Sequence, residues 1–588
     1  MTTQNSFADT RLINLDTLRE QVLENHDLSF SRRREIASAI STLSKWTSLP
    51  LATMPASATY LRERFKDLHP DQLGVTKRRL QNVRSLILAG FRSQGLSTKL
   101  SRYMEPMSTD WAELWDLIDG ETYFKTELSR FFHYCSKQQI TPASVTDEVS
   151  RDYLRALEDE TLIKNPKVRH QSVCRVWNKC SQSYAGAGWP QATLTVPKYD
   201  ERLYGIDESL VPESIQKDLE KYLTYLSGDD PFSAHPMPFK PNSLNAVKGH
   251  FWRFLSALHH QGVDLQKHAR LSDLVTPEMF KLGMRWFWER NGRETSKHLG
   301  EVAWTIRSYA VKHLEADEET IAFYAESLKS LRVPQQGLSD KNQAAMAQFD
   351  DPRVVEKFVS LPPLLWNKAE RIKKTASTDR VAKKAHLLVQ SAVAIEILTF
   401  APMRLSNLQG LRLDEHLNWM GQRARISIPR QQVKNNQALE YLLPESLSKR
   451  IKDYLSNHRG CLGDSDSPYL FPGRSGQPKD CSALRNQIRN TLWNEAAIKL
   501  TPHQFRHAAA KILLDTKPGY YEVVRKVLGH KSLTTTYNHY AGAETQAAIN
   551  LYDDVIIQHR RKPLAETSRG LSAEPPFMDP LQFFGDKK

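Results

Sequence analysis

The N-terminal half of the chain carries apolar residues at the three- and four-residue spacing of amphipathic helices. This spacing recurs in RREIASAISTLSKW (33–46) and in RRLQNVRSLILAGF (78–91). A second block starts near Trp111 and ends with RHQSVCRVWNKCSQSY (169–184), and a third occupies residues 212–313. The pattern therefore predicts three successive helical blocks.

A stretch rich in glycine and proline, AGAGWPQATLTVPKYDERLYG (185–205), separates the second block from the third. It lacks a helical period, so we expect it to be a linker. In the third block basic and aromatic residues alternate closely, at Lys248, His250, Trp252 and Arg253. This pattern indicates either an amphipathic helix with its aromatic rings in a core or a basic face along DNA phosphates.

The most apolar segment of the chain is HLLVQSAVAIEILTFAPM (386–403). It contains Gln390 and Glu396 and is too short to span a bilayer, which needs about 20 apolar residues. We therefore expect a buried helix over Ala385–Phe400 rather than a membrane segment.

The segment RARISIPRQQVKNNQALEYLLP (423–444) has the period of a strand instead. Ile426 and Ile428 fall on one face, and alternation resumes after Asn435 and Asn436, which suit a turn. The pattern predicts a β-hairpin, with helices resuming near Glu445.

The amino-acid composition indicates what kind of partner the protein binds. The 588 residues include 81 Lys and Arg against 67 Asp and Glu, a formal net charge of +14. Such an excess favours a polyanion such as nucleic acid. The five cysteines form no CxxC pair, and the N-terminus has no long apolar run. Both features are typical of a reduced compartment, so we expect a cytoplasmic, nucleoid-associated protein that does not enter membranes.

The stretch TPHQFRH (501–507) predicts the start of a helix. Thr501 suits the N-cap and Pro502 the first helical position. His503 and Arg506, three residues apart, would then lie on one face near the helix N-terminus, where main-chain N–H groups favour an anion.

The same stretch raises a metal alternative, because His507 follows His503 by four residues. A zinc peptidase motif HExxH needs a glutamate as its second residue to activate water, and here that residue is Gln504. The pair also has no obvious third ligand, so we predict no metal site.

In LGHKSLTTTYNHY (528–540) Gly529 suits the position just past a helix, where positive φ is common. His530 follows at the turn, and Ser532 can cap the next helix, on which Tyr537 and Tyr540 lie one turn apart. Taken alone, this is equally a helical hairpin whose His and Tyr side chains are partly buried and hydrogen-bonded.

Together these stretches resemble the tyrosine recombinase (phage integrase) family. The resemblance rests on APMRLSNLQGLRLD, on the lysine of QQVKNN, on YLFPGRSG, on TPHQFRH and on LGHKSLTTTYNHYAG, which occur in family order between residues 401 and 542. The matching candidate site residues are Arg404, Lys434, His503, Arg506, His530 and Tyr540.

The resemblance implies a multi-domain, mainly α protein with a small β-hairpin or sheet. Residues 1–205 carry no motif that assigns a function. The predicted boundaries, in chain order, are a helical module at 1–104, a second helical module with its linker at 105–205, a helical core-binding DNA-binding domain at 206–335, an α+β catalytic domain at 345–560, and a mobile tail at 561–588.

The family chemistry implies roles for the six residues. The tyrosine attacks phosphorus and forms a covalent 3′-phosphotyrosine, whose ester keeps the bond energy for rejoining without ATP. The two arginines bind the non-bridging oxygens. Lys434 protonates the leaving 5′ oxygen, His503 acts on the tyrosine as base or hydrogen-bond partner, and His530 adds a phosphate contact. The resemblance implies no metal or other cofactor.

Two positions depart from the family pattern. Asn407 stands three residues after the first arginine, where members often carry an acidic residue that supports it. The tyrosine often lies nine residues after the histidine of LGH, but position 539 is His. We therefore assign the nucleophile to Tyr540, which is followed by Ala-Gly, and keep Tyr537 as the alternative.

The predicted function is site-specific recombination of double-stranded DNA by a homotetramer, alone or with related recombinases. Two alternatives share the sequence features: a DNA-binding accessory protein without catalysis, and a type IB topoisomerase or resolvase. The tail segment PLQFF (580–584) is a hypothetical docking element between protomers.

Overall fold

A computed structural model describes residues 13–95, 107–197, 199, 204–228, 238–333, 337–473, 475–540 and 545–561. Within these ranges the regular structure is helical apart from a three-stranded antiparallel sheet and isolated bridges. The predicted class, mainly α with a small sheet, is therefore confirmed. The chain divides into two units, Met1–Gln335 and Gln336–Lys588.

The N-terminal unit starts with two groups of helices, each around its own apolar core. Their helices are α1 (Leu15–Glu24), α2 (Phe30–Thr47), α3 (Ala58–Asp67), α4 (Lys77–Ser93), α5 (Thr109–Leu117), α6 (Thr122–Lys137), α7 (Asp147–Glu160) and α8 (Pro166–Ser183). The two groups contact each other, because Leu162 packs in the first core and Arg62 donates to the Glu158 carbonyl at 2.6 Å.

The predicted linker packs against the second core instead of passing freely over the surface. Trp189 and Leu194 are both buried there. The Trp177 indole N–H also donates to the Ala192 carbonyl at 2.8 Å. Apolar side chains at two positions of a segment rich in glycine and proline are sufficient to fix it.

A third core completes this unit. It is built by α9 (Glu213–Ser227), α10 (Pro241–His260), α11 (Pro277–Arg290), α12 (Lys297–Lys312) and α13 (Glu318–Ser330). Helices α10 and α11 approach closely because Gly283 has no side chain: a Cβ there would lie 2.5 Å from the Phe254 ring.

The C-terminal unit is built around one buried helix. Its elements are α14 (Asp340–Ala347), α15 (Pro352–Lys374), α16 (Asp379–Phe400), α17 (Leu405–Gln409), β1 (Leu417–Met420), β2 (Arg423–Ile428), β3 (Leu439–Leu442), α18 (Glu445–Asn457), α19 (Cys481–Ala496), α20 (Phe505–Thr516), α21 (Tyr521–Leu528), α22 (Leu533–Tyr540) and α23 (Thr545–Arg561). Helix α16 contains the apolar segment, and its residues from Ala385 to Leu398, apart from Leu387 and Leu388, are buried, as predicted. Its one buried carboxylate, Glu396, is paired with Arg450.

The predicted hairpin is present as strands β2 and β3, which pair from Arg425↔Leu442 to Ile428↔Leu439. Ile426 and Ile428 are buried on one face, as expected. The connection between the strands is longer than a tight turn and includes a 3₁₀ turn at Arg430–Gln432. Strand β1, which pairs with β2, was not predicted, because its sequence LNWM shows too little alternation.

Other expectations stay predictions. The two units meet between Gln335 and Gln336, and the predicted domain boundaries remain expectations. The tail beyond Arg561, with its PLQFF segment, lies outside the described residues. Among the described helices none combines the length and apolar character needed to cross a bilayer.

Candidate active site

The six predicted site residues lie on six different segments of the C-terminal unit. Arg404 directly precedes α17, Lys434 lies in the β2–β3 connection, His503 in a 3₁₀ turn before α20, Arg506 in the first turn of α20, His530 just after α21, and Tyr540 at the end of α22.

Electrostatic coupling shows that these segments converge. The pKa of His503 is lowered, first by loss of hydration and then by the positive charges of Arg506, Arg404 and Lys434. The pKa of His530 is lowered to about 4, first by burial and then by neighbours that include Arg506 and Arg404. Burial raises the pKa of Tyr540 to about 12, against the opposing charge of Arg506. The six side chains therefore form one cluster that is rich in positive charge.

The start of α20 differs in detail from the prediction. Thr501 is an N-cap with Pro502 after it, but the first turn, Pro502–Gln504, is 3₁₀ and the α-helix begins at Phe505. The Gln504 side chain accepts from the Thr501 main-chain N–H at 2.9 Å and so closes a capping box. His503 lies in this turn and is exposed, while Arg506 lies one turn on and is buried.

Arg506 forms hydrogen bonds to the main chain of two segments of the cluster, the one before α17 and the end of α21. Its guanidinium donates to the Pro402 carbonyl at 2.8 Å and to the Leu528 carbonyl at 2.7 Å. Its pKa is lowered, first by burial and then by the nearby charge of Arg404. A phosphate between the two guanidinium groups would relieve that repulsion, so the pair is preorganised for an anion.

Asn407, the departure from the family pattern near Arg404, is also unusual in its contacts. Its side-chain nitrogen is buried and has no hydrogen-bond partner among the described residues. A buried unsatisfied donor typically costs about 1–3 kcal/mol. Asn407 therefore does not supply the carboxylate support that an acidic residue would give Arg404.

The loop that carries Lys434 is fastened beside the cluster, although Lys434 itself is exposed. The Asn435 side chain donates to the Gly529 carbonyl at 2.6 Å. From the neighbouring strand, Tyr441 donates its hydroxyl proton to the Val527 carbonyl at 3.0 Å. These bonds hold the β2–β3 connection against the end of α21.

Gly529 is required at this junction for two reasons. Its φ is +61°, as predicted for the residue past the helix, and a Cβ there would lie 2.4 Å from Leu439 Cδ2. We predict that Gly529→Ala is more destabilising than Gly519→Ala, whose φ is +84° but whose Cβ would meet nothing within 4 Å. Both replacements carry the left-handed penalty of about 1–2 kcal/mol. Overpacking adds about 1–3 kcal/mol to Gly529→Ala alone.

Hydrogen exchange of the C-terminal unit in increasing urea measures this difference. Equal destabilisation by the two replacements would mean that Leu439 moves aside, and the close packing of the strand against α21 would then not matter.

His530 is held at the turn between α21 and α22. Its Nδ1 lies 2.9 Å from the Thr536 hydroxyl, and its main-chain N–H donates to the Arg525 carbonyl at 2.9 Å. Ser532 caps α22, as expected, by accepting from the Thr535 N–H at 3.2 Å. With a pKa near 4, His530 is neutral at neutral pH and can donate one N–H or accept with one nitrogen.

The two candidate tyrosines lie in opposite environments. Tyr540 is 2% exposed and its ring stacks parallel to His530 at a centroid distance of 6.4 Å. Tyr537 is 55% exposed and packs on Tyr521 away from the cluster. The structure therefore brings Tyr540 into the cluster and leaves Tyr537 outside it.

One residue of the cluster was not included among the predicted site residues. His507 Nδ1 lies 2.9 Å from the Tyr540 hydroxyl, whereas the His503 ring contacts the His507 ring at a centroid distance of 5.4 Å. Burial, followed by the charges of neighbouring residues, lowers the pKa of His507 to about 4. The sequence signal was its place next to Arg506, but it was considered only as a metal ligand.

A chain of hydrogen bonds fixes which nitrogen of His507 carries the proton. The Thr501 N–H can only donate, so Gln504 presents its oxygen there and its nitrogen to Asn342, whose oxygen accepts at 3.1 Å. The Asn342 nitrogen then faces His507 Nε2 at 3.4 Å. Nε2 is consequently the acceptor, and Nδ1–H donates to the Tyr540 oxygen.

Part of the chain is similar to known recombinases. The family model for the phage integrase family matches residues 365–547. The tyrosine recombinase XerA of Pyrococcus furiosus is 33% identical over 96 residues, 16% of this chain and 32% of that protein. The tyrosine recombinase XerC of Rickettsia felis is 24% identical over 334 residues, 56% of this chain and 93% of that protein. The chain thus spans about a third of the XerA relative and most of the XerC relative.

Two solved structures are also similar in part. One is a XerH site-specific recombinase bound to its difH substrate in a pre-cleavage complex (16% identity, TM-score 0.28, 57% of this chain and 93% of that one). The other is a lambda integrase(75–356) dimer bound to a COC′ core site (12% identity, TM-score 0.34, 56% of this chain and 95% of that one). TM-scores this low support no statement about this chain.

Proposed function

Because the chain belongs to the phage integrase family of tyrosine recombinases, we propose that it is a site-specific DNA recombinase that cuts and rejoins strands through Tyr540. The observation that carries the proposal is the cluster itself. A buried tyrosine, whose hydroxyl contacts His507 and feels the charge of Arg506, shares one cluster with a second arginine, two further histidines and a lysine. A phosphodiester is the substrate that such a set of donors and cations would bind and activate.

The proposed step moves one bond and two protons. The Tyr540 oxygen forms a bond to phosphorus, and the bond from phosphorus to the 5′ oxygen breaks. The Tyr540 proton passes to His503, which is neutral at neutral pH because its pKa is lowered. Lys434 gives a proton to the leaving 5′ oxygen. Arg404 and Arg506 hold the non-bridging oxygens, and His530 adds a further contact. Reversal with another 5′ hydroxyl rejoins the strand without ATP.

His507 has a separate role in this proposal. Since its Nδ1–H points at the Tyr540 oxygen, it donates a hydrogen bond to the negative charge that grows there as the proton leaves. It is therefore a donor to the nucleophile and not the base. This assignment supports His503 as the proton acceptor, although His503 makes no direct bond to the hydroxyl in this structure.

The function is tested with nicked duplexes tiled across the DNA that flanks the gene. A nick just 3′ of the scissile phosphate makes the leaving fragment, which carries the 5′ hydroxyl, so short that it dissociates. The strand then cannot be rejoined, and the covalent protein–DNA adduct accumulates. The proposal expects an adduct at a discrete site and with chelator present. Binding without an adduct at any site would point to an accessory protein, and relaxation of any supercoiled plasmid would point to a type IB topoisomerase.

Binding of duplex DNA should depend steeply on salt. The chain has an excess of positive charge. A protein that makes roughly six to ten phosphate contacts loses about 10³–10⁵ in affinity between about 50 and 200 mM salt, and we expect a fall of that size here. Fluorescence anisotropy with a labelled duplex measures this slope. An affinity that is flat over that range would contradict phosphate-dominated binding.

Recombination joins two duplexes, so we also propose a tetramer on DNA. Light scattering of the protein with two site-bearing duplexes tests the assembly. Truncation at residue 560 asks whether the tail contributes: unchanged assembly excludes PLQFF as a docking element.

A further inference from the structure

Three potential metal ligands converge on the surface of the N-terminal unit, in the block whose basic and aromatic pattern had two interpretations. They are His250 on α10 and His298 and Glu301 on α12. One ligand atom from each lies within 4.8 Å of the other two. His298 and Glu301 are three residues apart on one helix, so they share a face, and both are exposed. An ion from solvent can therefore reach them.

The third ligand is oriented by a buried hydroxyl. Thr305 is 3% exposed and donates its proton to the Glu301 main-chain carbonyl at 3.0 Å. That hydroxyl can then only accept from His250 Nδ1, which lies 2.7 Å away. The proton of His250 is consequently on Nδ1, and Nε2 keeps the lone pair that a metal requires.

We propose that His250, His298 and Glu301 bind a divalent first-row transition metal ion, of which Zn²⁺ is the best match. Two imidazoles and one carboxylate suit Zn²⁺ and leave a fourth position for water or another ligand. Donors about 2.1 Å from a tetrahedral ion lie roughly 3.4 Å apart. The ligand atoms of this cluster lie within 4.8 Å of one another, and small rotations of the two exposed side chains can bring them to the shorter spacing. The ion would join α10 to α12 beside the third core.

Two positive charges oppose the ion and give the proposal a directional test. Arg253 acts electrostatically on both imidazoles, and Lys297 lies 4.0 Å from the Glu301 carboxylate. Removing the Arg253 guanidinium in Arg253→Gln should therefore strengthen metal binding. If this surface serves only to bind DNA, the same replacement weakens DNA binding and leaves Zn²⁺ affinity unchanged.

The test uses the full chain, stripped with chelator, and titrated with Zn²⁺ by calorimetry and with Co²⁺ by visible absorption. The wild type should bind one ion with tetrahedral Co²⁺ bands and should unfold at a higher temperature when loaded. His298→Ala should abolish this site. Thr305→Val should weaken it by about 10–100-fold, as expected for loss of a group that orients a ligand, while Thr305→Ser keeps it.

His259→Ala is the matched control, since His259 lies on the same helix α10 but outside the cluster. It should bind Zn²⁺ like the wild type. Equal unfolding temperatures of the metal-free variants show that they fold. The proposal is overturned if His298→Ala binds Zn²⁺ as tightly as the wild type, or if the wild type binds no single site. This outcome is independent of the strand-transfer activity, which resides in the C-terminal unit.

Discussion

Tyr540→Phe is expected to abolish the covalent adduct with nicked DNA completely, whereas Tyr537→Phe keeps it. The phenol oxygen is the only atom lost in each case, so the two replacements are matched. Only the Tyr540 oxygen lies in the cluster, 2.9 Å from His507 and within the field of Arg506. Tyr537 is 55% exposed, and its ring packs on Tyr521.

Adduct formation is measured on denaturing gels with the substrate that gives the highest wild-type yield. Affinity for the uncut duplex serves as the control and should be unchanged in both variants. An adduct from Tyr540→Phe at wild-type yield would contradict the assignment. Loss of the adduct only in Tyr537→Phe would transfer the nucleophile to that residue.

The second large effect concerns the proton on His507. His507→Leu is expected to slow single-turnover cleavage by about 10²–10³, the usual effect of removing a preorganised donor. His507→Gln should recover part of that rate, because an amide N–H can still donate to the Tyr540 oxygen. DNA affinity should change little in either variant, since His507 is buried against the nucleophile.

The pair of variants separates donor from base. An amide cannot take a proton from tyrosine, so if His507 were the base, glutamine would be as slow as leucine. His503→Gln provides the complementary measurement. Because His503 is the proposed proton acceptor and an amide cannot accept that proton, the cleavage rate of this variant should stay low. A glutamine variant of His507 no faster than the leucine variant would contradict the donor role.

Sequence reasoning succeeded where the signal is local. The buried helix α16, the alternation of β2 and the positive φ of Gly529 each follow from a period or from a single residue type. Ser532 as the cap of α22 is of the same kind. Such features depend on neighbours within a few residues, which the sequence displays directly.

The sequence did not predict features that depend on contacts between residues far apart in the chain. The contact of Asn342 with His507, which fixes the proton, joins residues 165 positions apart. The burial of Trp189 in the predicted linker depends on a pocket formed by other helices. The pairing of His250 with α12 likewise depends on how two helices pack. The hydrophobic periodicity of the sequence does not predict these contacts, because each depends on the packing of several elements.

The proposed reaction bonds the Tyr540 oxygen to a DNA 3′ phosphate. The most direct measurement is mass spectrometry of the peptide left on nicked DNA after proteolysis of the trapped adduct. We expect a nucleotide attached to the peptide that contains residues 533–540, with fragmentation placing it on Tyr540. A nucleotide on another residue, or a 5′ phosphate linkage, would contradict it.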